Sequence, residues 1–317
     1  MKFSRVLVTG GAGFIGSHIV DALIGRGVEV GVLDDFATGE KSNLPIDSSR
    51  LRIHRGDIRD EAFVKQVVKG YDAIIHEAAL VSVTRSIEDP GRTNTVNVGG
   101  TLNLLSAAKD AKVESFIYAS SSSVYGESET LPKVETMNTS PISPYAVSKL
   151  SAENYCRVFA SVYGLRTVCL RYFNVYGPRQ KPGPYSGVIP TFVNKVMHDE
   201  APVVFGDGEQ TRDFTYVRDA VSANLLSLER DPSPGEVFNV AGGAQVSLNR
   251  LAASIEKIMG KPLLGTEHAP PREGDIRHSL ADITKAKAVL GYSPRFSLEE
   301  GLREVIGGFV TRTAGQR

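Results

Sequence analysis

Tyr145 and Lys149, in the stretch "SPYAVSK" at 143–149, set a phenol and an ammonium four residues apart. Ser143 is a good helix N-cap and Pro144 suits the first helical position, so the stretch predicts a helix start. Residues i and i+4 share one helix face, which makes the two side chains neighbours. A free phenol titrates near 10, so only about one in a thousand is ionised at neutral pH. A nearby ammonium lowers such a pKa by roughly 1–3 units, and Tyr145 would then serve as a general base near neutrality. A chain with 11 tyrosines also supplies such a pair by chance. Val147, Leu150, Val158, Phe159 and Val162 on the same helix read simply as core or interface residues. The pair gains weight from "SSSSVYG" at 120–126, four hydroxyls at the end of a strand-like run, although four serines in isolation equally suit a solvated turn.

A second chemical signal lies at the start of the chain. "VTGGAGFIGSH" places Gly10, Gly13 and Gly16 between a strand pattern and a helix pattern. Glycines there allow a tight turn, close approach of a pyrophosphate to the helix N-terminus and close packing of helix on strand. With 31 glycines, near-matches arise by accident. The order strand, glycines, helix, strand makes this one specific. The next strand ends in "LDDF", which puts Asp34 where a carboxylate accepts hydrogen bonds from an adenosine ribose and repels a 2′-phosphate. NAD is therefore expected rather than NADP.

The elements that must hold these groups follow from the hydrophobic pattern. "RVLVT", "VEVGVLD", "LRIHRGD", "YDAIIHEAA", "SFIYAS" and "LRTVCLRYF" are nearly continuous apolar runs, with helix-length segments before most of them. Such runs fit strands buried on both faces, and their alternation with helices predicts an α/β, Rossmann-like doubly wound parallel sheet. Ligands of such a sheet bind at the carboxyl ends of the strands. After about Tyr176 the texture changes: "GPRQKPGPYSG" reads as a loop, followed by a helix from about Val188, strands at "APVVFG" and "GEVFNVAG", and a helix from Ser247. The expected organisation is an NAD-binding domain over 1–176 and a smaller α/β lobe over 177–317, with part of 213–245 a candidate to return to the first domain.

Composition narrows the function classes. The 317 residues are 41% hydrophobic and 23% charged, and 36 basic residues balance 36 acidic ones. No broad positive field exists for nucleic acid or an anionic membrane. No apolar run is long enough to span a bilayer, and "MKFSRVLVTGG" enters a strand pattern at once, which argues against a secretory signal peptide. Cys156 and Cys169 lack metal-ligand spacing and no metal is expected; two free, buried structural thiols fit a reducing cytoplasm.

Taken together, the glycine turn, the serine cluster and the Tyr-x-x-x-Lys pair resemble the extended short-chain dehydrogenase/reductase family. Within it the chain resembles nucleotide-sugar 4-epimerases of the UDP-glucose 4-epimerase type. The likeness runs through "VTGGAGFIGSH", "GDIRD", "HEAA", "VNVGGT", "SSSSVYG", "SPYAVSK", "LRYFNVYGPRQ", "DGEQTRDFTYVRD" and "PPREGDIRHSLAD", which covers essentially the whole chain. It implies that Tyr145 takes the proton of a sugar 4-hydroxyl while hydride passes to NAD, and that hydride returns to the opposite face. Lys149 would lower the Tyr145 pKa and hold the nicotinamide ribose. Ser121, with Ser122 as its rival, would hydrogen-bond the reacting oxygen.

The same resemblance assigns binding residues. Around NAD it implies Gly10, Gly13, Phe14, Ile15, Gly16, Asp34, Asp35, Phe36, Thr38, Gly39, Asp57, Ile58, Ala78, Ala79, Asn97 and Phe173, besides Tyr145 and Lys149. Around a UDP-sugar it implies Ser121, Ser122, Asn174, Gln180, Val188, Phe205, Arg212, Arg272, Asp275 and Ser279. Of these, Arg212 and Arg272 would grip the diphosphate, a role suited to guanidinium forks, Phe205 would pack beside uracil and Asp275 would meet a ribose. Sugar dehydratases of the family carry an Asp-Glu pair where this chain has Ser121 and Ser122, which disfavours elimination of water. A small residue at Ser279, together with Gln180, resembles the branch that accepts N-acetylhexosamines, whereas Val81 departs from the glycine that some of those enzymes carry.

The leading expectation is an NAD-dependent UDP-glucose/UDP-galactose 4-epimerase, with UDP-GlcNAc and UDP-GalNAc as further candidate substrates. A UDP-glucuronate 4-epimerase or decarboxylase is the alternative, with Arg85 or Arg179 as the carboxylate partner. A non-catalytic NAD-sensing module is the reading from another class, and such modules typically lack the Tyr or Lys present here. The helix before "ESFIY" and the Tyr145 helix are both substantially apolar, and in this family such helices pair as a four-helix bundle, so a homodimer is expected.

Overall fold

The computed structural model of the chain describes residues 2–183, 187–230, 232–261, 264–270 and 276–314, with side chains up to 310. The chain opens with β1 (Arg5–Thr9), α1 (Phe14–Gly25), β2 (Glu29–Asp34), β3 (Leu51–Arg55), α2 (Glu61–Val68) and β4 (Ala73–His76). Next come α3 (Val83–Glu88), α4 (Pro90–Asn94), a π-helical stretch Thr95–Gly100 that runs into α5 (Thr101–Asp110), and β5 (Ser115–Ser121). The long helix α6 (Pro144–Tyr163) leads to β6 (Thr167–Tyr172) and the short β7 (Val175–Tyr176). The remainder comprises α7 (Val188–Met197), β8 (Val203–Phe205), β9 (Thr211–Asp213), β10 (Thr215–Tyr216), α8 (Val217–Glu229), β11 (Glu236–Val240), β12 (Gln245–Ser247), α9 (Leu248–Met259), β13 (Glu267–Ala269), α10 (Thr284–Leu290) and α11 (Leu298–Ala314).

Seven strands form one sheet in the order β11-β6-β5-β4-β1-β2-β3, and every pair in it is parallel. Side chains alternate between two buried layers. Val6, Val8, Val30, Val32, Ile75, Ile117 and Leu170 pack with α1 and α8 on one face. Leu7, Leu33, Ile74, Phe116 and Tyr118 pack with α2, α5 and α6 on the other. This double burial explains why the strand sequences are apolar throughout. Strand order reverses between β1 and β4, and a doubly wound sheet opens its binding crevice at such a reversal.

The run "GEVFNVAG" falls after the change of texture near Tyr176, yet its strand β11 is the edge strand of the main sheet, paired with β6 from Glu236↔Val168 to Val240↔Tyr172. Helix α8 precedes it and packs on α1. A separate cluster joins α7, α9 and α11 through Phe192, Val193, Leu251, Ile255, Leu302 and Val305, and the two-stranded pairs β12–β9 and β13–β8 flank it. Cys156 and Cys169 are free and buried. Among the described residues no helix is long and apolar enough to cross a membrane.

Candidate active site

The glycine turn links β1 to α1. Gly10 has φ +67, where a side chain is strained, and a Cβ there would lie 2.7 Å from the Ala78 nitrogen. A Cβ at Gly16 would overlap the Gly10 carbonyl oxygen, so only glycine lets α1 sit this close to the turn. Gly13 is the N-cap of α1 and offers no capping side chain, which leaves the positive end of the helix to an anion. Asp34, at the end of β2, is buried. Its carboxylate accepts the Ala12 N–H at 3.0 Å and the Phe36 N–H at 2.8 Å. One bond to each oxygen leaves lone pairs for a ribose diol. Burial raises the Asp34 pKa, and the two N–H groups oppose that.

The loop after β2 folds back over this turn: Phe36 has φ +60, a Cβ on Gly39 would meet Ala12, and Glu40 N–H donates to Ala12 O at 3.0 Å. Asp35 caps Ala37 N–H at 2.9 Å, and Thr38 belongs to the same loop. Asp57 and Ile58 follow β3. The Asp57 carboxylate takes Arg59, whose guanidinium lowers its pKa, and Ile58 is buried against Gly100. Ala78 and Ala79 follow β4. Asn97, buried in the π-helical stretch, clamps Leu80 by accepting its N–H at 2.8 Å and donating to its carbonyl at 3.0 Å, and it also donates to Ser148 Oγ at 3.0 Å. Phe173 follows β6 and is buried with Val124, Tyr125, Ala241 and Ala281. These segments therefore converge on the carboxyl edge of the sheet, and their bare helix end and buried carboxylate fit a dinucleotide.

The acid–base groups meet at the same edge. Ser143 caps α6 through a bond from Ala146 N–H at 3.2 Å, with Pro144 first in the helix. The Tyr145 N–H donates to Ser86 Oγ at 3.0 Å, which ties the helix start to α3. Ser148 Oγ donates to Tyr145 O at 2.7 Å, so Asn97, Ser148 and Tyr145 form one braced unit. Lys149 is buried, and its ammonium donates to Ala119 O at 2.8 Å. The ammonium lies 6.0 Å from the Tyr145 ring centroid and 5.1 Å from that of Tyr118.

The serine run divides by role. Ser120 lies inside β5, and its hydroxyl donates to the Glu153 carboxylate at 2.7 Å. That carboxylate also takes Arg171 at 2.6 and 3.0 Å, which makes Ser120 part of a buried ion-pair network. Ser121 ends the strand and acts on the Tyr145 phenol, favouring its charged form. Ser121 Oγ in turn accepts the Ser123 hydroxyl at 2.9 Å and the Ser123 N–H at 3.2 Å. Of Ser121 and Ser122, Ser121 is the one that acts on the phenol pKa.

The Tyr145 pKa lies above the ordinary phenol value. Burial is the main cause, Ser121 opposes it, and the Glu77 carboxylate adds to it. The enclosed phenol loses more solvation on ionising than Ser121 restores, and the ammonium is turned to Ala119 O. Sequence reasoning did not single out Glu77. Its Oε1 accepts the Tyr172 hydroxyl at 2.6 Å, and the only signal for it was its place in "HEAA".

On the opposite side of the crevice, Asn174 (φ 33) donates to Asp213 O at 3.0 Å. Gln180 is half-buried, and its Oε1 lacks a hydrogen-bond partner among the described residues. Val188 starts α7, and Phe205 ends β8, its carbonyl accepting from Gln210 at 2.6 Å. Arg212 donates to Thr211 O at 2.9 Å, and Ser279 N–H reaches the same carbonyl at 3.1 Å, which puts both residues beside β9. Arg272 and Asp275 lie outside the described residues. Arg179 is ion-paired with Asp21 of α1 at 2.7 Å, and that pairing competes with its expected role as a carboxylate partner.

Comparison with known proteins gives the class. Residues 6–241 match the model of the NAD dependent epimerase/dehydratase family. The chain belongs to that family, and NAD is its cofactor. It is 39% identical over 304 residues, 95% of this chain and 97% of the relative, to a putative UDP-glucose 4-epimerase of Methanocaldococcus jannaschii. Among solved structures it resembles a UDP-N-acetylglucosamine 4-epimerase from Methanobrevibacter ruminantium M1, in complex with UDP-N-acetylmuramic acid (TM-score 0.94, 42% identity, 98% of this chain and 100% of that one). It also resembles UDP-glucose 4-epimerase with UDP-glucose from Thermotoga maritima (TM-score 0.93, 40% identity, 98% and 99%).

Proposed function

We propose that the protein is a UDP-hexose 4-epimerase that interconverts UDP-glucose and UDP-galactose, with UDP-N-acetylhexosamines as further candidate substrates. The observation that carries this reading is Tyr145 at the start of α6, with the buried Lys149 ammonium 6.0 Å from its ring centroid and Ser121 at the end of β5 acting on its phenol. It links an acid–base group to a hydroxyl that can hold the same sugar oxygen. NAD, when bound, supplies hydride acceptance and return at sugar C4. The α1 N-terminus would take the pyrophosphate and Asp34 the adenosine ribose. Tyr145 would remove the 4-hydroxyl proton and give it back, and Ser121 would fix the oxygen during both transfers. Lys149 would add positive charge and reach the nicotinamide ribose.

Ser121 and Ser122 stand where a dehydratase carries acidic residues, which favours epimerisation over loss of water. Arg212 is the diphosphate partner in this reading, and Ser279 and Gln180 leave room and a hydrogen-bonding group for an N-acetyl substituent. The test is a panel of UDP-glucose, UDP-galactose, their N-acetyl forms and UDP-glucuronate with purified protein and no added cofactor. Interconversion within a C4 pair supports the proposal. Turnover of UDP-glucuronate alone transfers the protein to the uronate class, and no turnover of any sugar removes the reading.

A homodimer accompanies this proposal. Val147, Tyr155, Val158 and Val162 lie exposed along one stripe of α6, beside α5. A second copy would cover that stripe in a bundle of the two α5–α6 pairs.

A further inference from the structure

The segment 177–181 follows β7 and packs on α1, the helix that the glycine turn opens. A Cβ on Gly177 would lie 2.4 Å from Val217 of α8 and 3.4 Å from the ring of Phe14, the first residue of α1. Pro178 O accepts His18 Nε2 at 3.0 Å. A carbonyl only accepts, so that ring nitrogen carries the proton. The Arg179 guanidinium pairs with Asp21 at 2.7 Å. Phe14, His18 and Asp21 stand at i, i+4 and i+7, so the segment runs along one face of α1. Arg179 has φ +68, a region that residues with side chains rarely adopt. Such a conformation persists where surrounding contacts fix it.

Two residues on, the segment changes partner. Lys181 pairs with Glu40 at 2.7 Å, and its ammonium also donates to Thr38 O at 3.4 Å. Both partners belong to the loop that lies on the glycine turn. One end of that loop is held by Phe36 N–H on Asp34 at 2.8 Å, and the other by Glu40 N–H on Ala12 O at 3.0 Å. Lys181 adds a tie at Thr38, between those ends. The four side chains of the two ion pairs are partly open to water, from 26% for Arg179 to 46% for Lys181. Pairs this exposed add little to the stability of a fold. What they do is bind one surface segment to both sides of the glycine turn.

We propose that Arg179 and Lys181 are positioning residues for the cofactor: one pinned to α1 and the other to the 36–40 loop, they make 177–181 a clasp across the glycine turn that slows the exchange of bound NAD. A dinucleotide with its pyrophosphate on the α1 N-terminus and its ribose on Asp34 lies against the 36–40 loop, and it leaves when that loop lifts. Lifting the loop breaks the Lys181 contacts, or carries 177–181 along and breaks the Arg179 pair. The inference rests on NAD seated at the α1 N-terminus and Asp34, and it holds whichever sugar is turned over. Epimerase assays report on the sugar and NAD exchange reports on the clasp, so either can fail without the other.

The test is the rate at which the holoprotein exchanges its NAD. Protein carrying isotope-labelled NAD is mixed with excess unlabelled NAD, and the label left on the protein is followed with time. Asp21→Ala and Glu40→Ala each remove the acidic half of one pair. By charge alone, removing a carboxylate near an anionic pyrophosphate would slow release, whereas opening the clasp speeds it. The two explanations predict opposite signs. The expected result is exchange about two- to fivefold faster in each variant, the range for a partly exposed ion pair, and faster again in the combined variant. Added salt should speed exchange in wild type by screening the pairs, and that response should shrink in the combined variant. Exchange that is unchanged or slower in either single variant overturns the proposal, as does an equal salt response in wild type and the combined variant. The Glu40 side chain makes no cap hydrogen bond, so its removal leaves the local fold in place. Should Asp21→Ala not fold, Arg179→Met opens the same pair, and exchange no faster than wild type again overturns the proposal.

Discussion

At the scale of single residues, the proposed chemistry depends on which hydroxyl reaches the phenol. Tyr145→Phe keeps the ring and removes the proton-transfer atom, so turnover should fall roughly 10²- to 10⁴-fold, the usual worth of a positioned acid–base group. The fold and the bound nucleotide should survive, which circular dichroism and nucleotide absorbance would check. Ser121→Ala removes a hydrogen bond to a group that becomes charged, worth about 1.5–3 kcal/mol or roughly a 10- to 100-fold loss of kcat. Ser122→Ala should stay within a few-fold of wild type. A larger loss at Ser122 than at Ser121 in steady-state assays would reverse the assignment. Ser120→Ala belongs to a different ledger, because Ser120 bonds Glu153 rather than the phenol, and its cost should appear in stability.

At the scale of elements, contacts between helices and strands keep these side chains in place. The Glu153–Arg171 pair ties α6 to β6 with both side chains almost completely enclosed, and the Arg171 guanidinium stacks 4.7 Å from the Tyr125 ring centroid. Arg171→Met would leave the Glu153 carboxylate buried without its cation, a loss of about 3–5 kcal/mol that urea unfolding would read. Gly16→Ala drives a methyl into the Gly10 carbonyl, so α1 must move off the turn. The purified variant should carry far less NAD, measured from nucleotide released on denaturation, and full occupancy would argue against this helix end as the pyrophosphate seat. Asp213 joins β9 to two neighbouring segments by accepting Gly243 N–H at 3.0 Å and Ala281 N–H at 3.1 Å. Burial lifts its pKa to about 6 from 3.8. Between those values the folded protein holds a proton that the unfolded chain has released, so stability from this group falls as pH rises from about 4 to about 6. Asp213→Asn should remove that component, and a smaller fall in thermal midpoint between those two pH values would show it.

At the scale of the molecule, the crevice is shared between the sheet edge and the elements that follow Tyr176. Strand β11 and helix α8 come late in the chain yet belong to the sheet layers, so the chain crosses the mouth of the crevice and comes back. Asn174 and Asp213, joined at 3.0 Å, lie on two of these crossings. The apolar stripe of α6 lies on the face of the helix opposite buried Lys149. Val158→Glu would place a charge in the proposed bundle, and sedimentation velocity should then show monomers where wild type shows dimers. Dimers that persist in that variant would remove the α6 stripe as the interface.

Several features of this protein were set by local chain chemistry and were therefore readable in order along the sequence. Continuous apolar runs specified strands buried on both faces, Ser143-Pro144 specified the start of α6, and three spaced glycines specified the turn that only glycine permits. Asp34 was legible because its place at the end of β2 is fixed by counting along a strand. Other features depend on residues far apart in the chain. No spacing reveals that Ser121 meets Tyr145 while Ser120 meets Glu153, because successive strand residues face opposite sides and only the packing of α6 decides what waits on each. The direction of the Tyr145 pKa was not legible for the same reason: burial sets it first, and burial is a property of the assembled interior. Glu77 follows β4 and meets Tyr172 of β6, which Asn224 of α8 holds, and only the parallel stacking of the sheet brings those ends together. The sequence by itself determined the class of fold, the glycine turn after β1 and the placing of Tyr145 and Lys149 on one helix start. Tertiary structure decided which hydroxyl, which charge and which solvent exclusion surround that pair.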